Sequence, residues 1–139
     1  MNQNATSDLT ETLRKQIIRW VELESPSHDS ASLRQMAELI LSEIKDSALQ
    51  VEQIDLGPET GPILHIHNRA SGDDRAGILV LGHYDTVHPI GTLEQNPCRQ
   101  EGDQLFGPGI YDMKSGVVLA LSALKELAEP KDTQLPIDL

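Results

Sequence analysis

Two short stretches of this 139-residue sequence carry side chains able to hold a cation: Gly82-His83-Tyr84-Asp85-Thr86-Val87 and Gly107-Pro108-Gly109-Ile110-Tyr111-Asp112-Met113-Lys114-Ser115-Gly116. Alternation along an extended chain puts His83 and Asp85 on one side, so the carboxylate can reach the imidazole. A metal-bound histidine commonly donates its other ring N–H to a carboxylate, which fixes its tautomer. Asp85 therefore reads as the residue that orients His83, with direct ligation the lesser reading. Asp112 follows a Gly-Pro-Gly loop and precedes a helical pattern, where free N–H groups and the helix dipole favour an ionised carboxylate. Such a carboxylate can bridge two cations about 3.5 to 4 Å apart. On chemistry alone, a turn-and-cap role for Asp112 is the favoured reading.

The elements that must position these groups follow from periodicity. Gly77-Ile78-Leu79-Val80-Leu81-Gly82 is a continuous apolar run, which predicts a strand buried on both faces. His83 stands at its carboxyl end, where a sheet opens a crevice to ligands. Ser115 to Ala128 predicts a helix with Val117, Val118, Leu121, Leu124 and Leu127 on its apolar face and Pro130 closing it. Upstream, Asp8 and Glu11 resemble a capping pair ahead of Leu9, Leu13, Ile17 and Val21, a helix that stops near Ser25-Pro26. A second helix starts around Ser30 to Ser32 and turns Leu33, Met36, Ala37, Ile40, Leu41 and Ile44 to one face, Met36 as core filler. Leu49 to Leu56 and Ile63 to Asn68 predict strands around a turn, and Leu135 to Leu139 a strand just beginning. Val87 to Phe106 reads as turns and short extended pieces, with Cys98 there as a small packing residue. This order of elements predicts an α/β layered fold.

His65 and His67 lie two apart on one predicted strand and so share a face. A His-x-His metal site is one reading. Two histidines on a half-exposed face is the favoured one, because no acidic or Cys partner is near in sequence.

The formal net charge of −11, with no basic run among the eleven Lys and Arg, argues against nucleic-acid and membrane-surface roles. One cysteine allows no intrachain disulfide. Residues 1–8 lack a positive start and an apolar run, so a cytoplasmic location is the expectation.

The two motifs, with Pro89-Ile90-Gly91-Thr92-Leu93 and Gly102-Asp103 between them, resemble the zinc peptidase and deacylase family of glutamate carboxypeptidase, acetylornithine deacetylase, succinyl-diaminopimelate desuccinylase and aminoacylase. The likeness is greatest to glutamate carboxypeptidase and covers the whole chain. It implies a three-layer catalytic domain with a mixed sheet flanked by helices. By it His83 ligates one metal, Asp112 bridges two Zn2+ ions (Co2+ or Mn2+ as alternatives), Asp85 orients His83, and the Asp112–Met113 peptide is cis. The implied reaction is hydrolysis of an amide beside a free carboxylate in a small peptide or N-acyl amino acid, by a protein that is a homodimer when complete.

That family's further ligands and catalytic Glu follow the strand beginning at Leu135, and its small dimerisation domain comes later. Residues 1–139 are thus expected to be the amino-terminal portion of one catalytic domain. Zinc sites take about three or four protein ligands, against two here, so the expectation is a chain inactive alone, prone to self-association. The competing reading is a non-catalytic α/β binding or interaction module on the same scaffold.

Overall fold

The computed structural model describes residues 3–129 and 134–139. Helix α1 (Gln3–Glu22) starts ahead of Asp8, so the Asp8 and Glu11 pair lies inside the helix and caps nothing. Glu11 instead pairs with Arg14 one turn on, at 2.5 Å, the spacing that brings side chains together on a helix surface. Trp20 and Val21 are buried, Leu13 and Ile17 pack against the core, and Leu9 stays exposed. Helix α2 (Ser30–Ile44) is capped by Asp29, whose carboxylate accepts from the Ser32 N–H at 2.8 Å. That satisfies one of the donors every helix start leaves without a partner. Its apolar stripe is the predicted one, and Met36 is fully buried core filler.

Strands β1 (Gln50–Ile54) and β2 (Ile63–His67) form an antiparallel pair that sets Glu52 opposite His65. Strand β3 (Ile78–Leu79), helix α3 (Thr92–Gln95) and the hairpin of β4 (Arg99–Glu101) with β5 (Gln104–Phe106) follow. A kinked turn over Ile110–Lys114 leads into α4 (Ser115–Glu126), and β6 (Ile137–Asp138) completes the elements. The main sheet runs β1-β2-β6-β3, with β6 antiparallel to β2 and parallel to β3. The predicted α/β class with a mixed sheet and helices is what the chain adopts.

One further expectation is corrected. The run from Gly77 to Gly82 yields a strand of two residues, and Leu79 and Leu81 are 66% and 79% exposed. An apolar run is buried on both faces only where other elements pack over each face, and in the structure Ile78, Leu79 and Leu81 are left exposed. The stretch from Val87 to Phe106 holds the expected turns and short extended pieces, the latter paired as β4 and β5, and adds the four-residue α3. The closing role read for Pro130 lies outside the described residues.

One core joins Trp20 of α1, Met36 and Ile40 of α2, Ile66 of β2, and Val118 and Leu121 of α4. Fully burying a side chain of this size contributes about 1.5 to 3 kcal/mol. The core lies on the Ile66 face of β2, so by alternation His65 and His67 face the other way. Among the described residues, no helix is long and apolar enough to cross a membrane.

Candidate metal centre

The segment after β3 is held straight by pairing with the chain that leaves α1. The Thr86 N–H donates to Ser25 O at 2.8 Å and the Ser27 N–H to Thr86 O at 3.0 Å. Buried Ser25 donates its hydroxyl to Tyr84 O at 2.7 Å. Held this way, alternate side chains diverge. Tyr84 donates its hydroxyl to Pro62 O, while His83 and Asp85 share the other side, with His83 Nδ1 3.0 Å from Asp85 Oδ1 and 3.1 Å from its main-chain O. The carboxylate of Asp85 thus reaches the imidazole, as alternation predicts.

Asp112 reaches the same place through the kinked turn. Gly109 sits at φ 73, and a Cβ there would lie 2.5 Å from Thr86 Cγ2. Only glycine accepts both the left-handed backbone and this approach. Two residues past Asp112, Lys114 is 1% exposed and its Nζ donates to Trp20 O at 2.8 Å and Leu23 O at 2.7 Å. A cation is thereby set on the carbonyls at the end of α1, where the helix dipole favours positive charge. Burial lowers the Lys114 pKa to about 8, with Glu24 acting in the opposite sense. The Asp112–Met113 peptide is cis, as the resemblance implied.

These two supports bring His83 Nε2 to 3.0 Å from Asp112 Oδ1. Burial lowers the His83 pKa, but Asp112 and Asp85 outweigh it and the net is a rise above 6.5. One ring nitrogen thus faces Asp85 and the other faces Asp112, at a cleft also lined by Ser27, Thr86 and Tyr111. Asp112 is 80% exposed, which leaves its carboxylate open to a further ligand.

The donor set fits a divalent metal of the zinc type. Two ligands about 2.1 Å from one tetrahedral ion stand about 3.4 Å apart, a few tenths of an ångström beyond the separation seen. Imidazole nitrogen with carboxylate oxygen suits zinc, and Asp85 at Nδ1 supplies the partner such a histidine needs.

The structure brings His83, Asp85 and Asp112 together as the sequence predicts. It adds Ser25, Thr86 and Lys114, which hold the two segments in place. A lysine set among apolar residues just after Asp112 is the signal for the last. Glu24 also contributes, accepting from the Gly91 and Leu93 N–H groups at 2.7 and 2.9 Å. Cys98 is half-buried, and burial together with Glu22 raises its thiol pKa, in keeping with a packing role. His65 and His67 lie on a half-exposed strand face as expected, and although no acidic residue is near them in sequence, strand pairing delivers Glu52 and Asp138 to His65.

Residues 79–139, which carry both motifs, match Peptidase family M20/M25/M40, and the resemblance read from His83 and Asp112 is to this family. Carboxypeptidase G2 of Pseudomonas sp. (strain RS-16) is 28% identical over 127 residues, covering 90% of this chain and 30% of that protein. Succinyl-diaminopimelate desuccinylase of Delftia acidovorans is 35% identical over 101 residues, covering 66% of this chain and 26% of the relative. The fold is similar to that of human carnosine dipeptidase 1, with TM-score 0.71 at 20% identity over 92% of this chain and 31% of that one. It is also similar to an M20 family metallo-carboxypeptidase from Sulfolobus solfataricus, with TM-score 0.69 at 16% identity over 91% of this chain and 29% of that one. The chain therefore spans less than a third of the length of these relatives.

Proposed function

We propose that this chain carries part of the metal site of a metal-dependent amidohydrolase that cleaves an amide beside a free carboxylate, as a metallo-carboxypeptidase or N-acyl-amino-acid amidohydrolase. The observation that carries the reading is the convergence of His83 Nε2 and Asp112 Oδ1 at 3.0 Å, with Asp85 against the other ring nitrogen. The relatives named carboxypeptidase and desuccinylase support the same reaction class.

In this reading His83 and Asp112 hold zinc, with Asp112 open to a second ion and cobalt or manganese as alternatives. Bound metal supplies a Lewis acid and an activated water. The chain's own part is to present the imidazole in one tautomer through Asp85 and to keep Asp112 at the cleft through Lys114 and Gly109. Two donors are fewer than a zinc site ordinarily uses, so further ligands and the proton-transferring carboxylate come from outside residues 1–139. The 139-residue chain alone is then inactive and binds zinc weakly, and the complete protein is a dimer. A single cysteine suits a reducing cytoplasm.

The test is Co2+ titration followed by visible absorption in a chain carrying His65→Ala and His67→Ala, so that only His83 and Asp112 are read, alongside hydrolysis of an N-acyl glutamate by the unmutated chain. The reading expects a weak cobalt spectrum that His83→Ala and Asp112→Ala each abolish, and no turnover. Cobalt binding indifferent to both changes would favour the alternative, a non-catalytic binding module. A reading frame continuing past Leu139 with a Glu-Glu pair soon after supports the enzyme.

A further inference from the structure

On the face of β2 turned away from the core, three more donors meet. The ligand atoms of Glu52, His65 and His67 all lie within 4.8 Å of one another. Their proximity follows from strand geometry. Glu52 is the register partner of His65, and His67 is the next residue of β2 on the same face. The two imidazole rings stand 4.8 Å apart between centroids.

His65 is also oriented from behind. Its Nε2 lies 3.0 Å from Asp138 Oδ1 and its Nδ1 3.4 Å from Glu52 Oε2. Asp138 is itself fixed, since Arg69 donates to it through Nε at 2.8 Å and Nη2 at 2.7 Å. With the Nε2 proton given to Asp138, the Nδ1 lone pair points toward Glu52. This carboxylate–imidazole arrangement is the one that sets up a histidine to ligate a metal. His67 Nδ1 accepts a hydrogen bond from the Arg69 main-chain N–H at 3.2 Å, at the long end of the ordinary range. Ligation through either nitrogen of His67 gives up only that contact. The three groups open onto a broad groove also lined by Arg69 to Asp74, so entry is unobstructed.

We propose that Glu52, His65 and His67 form a second divalent-metal site, oriented by Asp138 and separate in its residues from His83 and Asp112. Two imidazoles and one carboxylate suit zinc, with solvent completing the tetrahedron. The ion would fasten β1, whose five residues are all exposed, to β2, and so act as a clip on the outer strand of the sheet.

The experiment uses the full chain carrying His83→Ala and Asp112→Ala, titrated with ZnCl2 by calorimetry. One equivalent of zinc is expected, with a rise in melting temperature. Glu52→Gln, His65→Ala and His67→Ala each weaken binding by about tenfold or more, and Asp138→Asn by about tenfold with His65 still in place. Circular dichroism reports whether each variant folds. In the same doubly substituted chain, zinc must also move the imidazole 15N resonances of His65 and His67, with His28 and His88 as unshifted controls. Absence of zinc uptake in the doubly substituted chain, uptake unaffected by the histidine changes, or unmoved His65 and His67 resonances would overturn the proposal. Those results would leave His65 as a group that merely bridges Glu52 and Asp138.

Discussion

Lys114 ties the turn that carries Asp112 to the end of α1 by donating to the main-chain oxygen of Trp20 at 2.8 Å. Lys114→Met keeps the length of the side chain and removes its donors, leaving the buried Trp20 carbonyl and the half-buried Leu23 carbonyl without that partner. Such a loss costs about 1 to 3 kcal/mol per group. Urea unfolding should show a decrease of about 2 kcal/mol or more. Trp20, the only tryptophan and fully buried, provides the fluorescence signal. A variant as stable as the parent would refute this role.

Glu24 predicts a pH dependence. The N–H groups of Gly91 and Leu93 hold its carboxyl pKa below the ordinary 4.5. The folded state therefore takes up this proton less readily than the unfolded one. The contribution is complete above the ordinary value and is lost as pH falls through the folded value. Glu24→Gln should cost about 1 to 2 kcal/mol at pH 7, and the gap between parent and variant should narrow in acid. A gap unchanged between neutral and acidic unfolding would contradict it.

Asp85 contacts the ring of His83 at 3.0 Å, so in the proposed site Asp85→Asn should weaken metal binding at the His83 and Asp112 pair by about ten- to a hundredfold while the fold persists. The measurement is Co2+ titration in a chain with His65→Ala and His67→Ala, so that only this pair is read. Equal affinities with and without Asp85 would remove it from the site.

Gly109→Ala tests close approach. An alanine there is held at φ 73 with its Cβ 2.5 Å from Thr86 Cγ2. The left-handed backbone alone costs about 1 to 2 kcal/mol, and the clash adds to it. Combining it with Thr86→Ser, which deletes Cγ2, should restore part of the loss by denaturation. No restoration would assign the whole effect to the backbone.

Helices α2 and α4 were legible because their apolar residues recur at helical spacing and pack on one core. The pairing of His83 with Asp85 was legible for an equally local reason, since two residues on one extended segment need only alternation. What lay hidden depends on distant partners. The exposure of Leu79 follows from what packs over the face of β3, which its own residues do not specify. Glu52 meets His65 through the register of a hairpin, and Asp138 reaches it because β6 enters beside β2; neither spacing carries a motif. Ser25 and Thr86 read as ordinary loop residues until their main chains pair.

The place of β6 has a consequence for how the chain assembles. Ile137 and Asp138 lie between β2 and β3, which do not touch as neighbours. During synthesis the hairpin and the three long helices can form as soon as they emerge, because their contacts are local or between segments already made. Strand β3 has no place in the sheet until residues some sixty positions later arrive beside it, a slow, long-range closure. Until then the backbone of Ile78 and Leu79 is without the strand it pairs with.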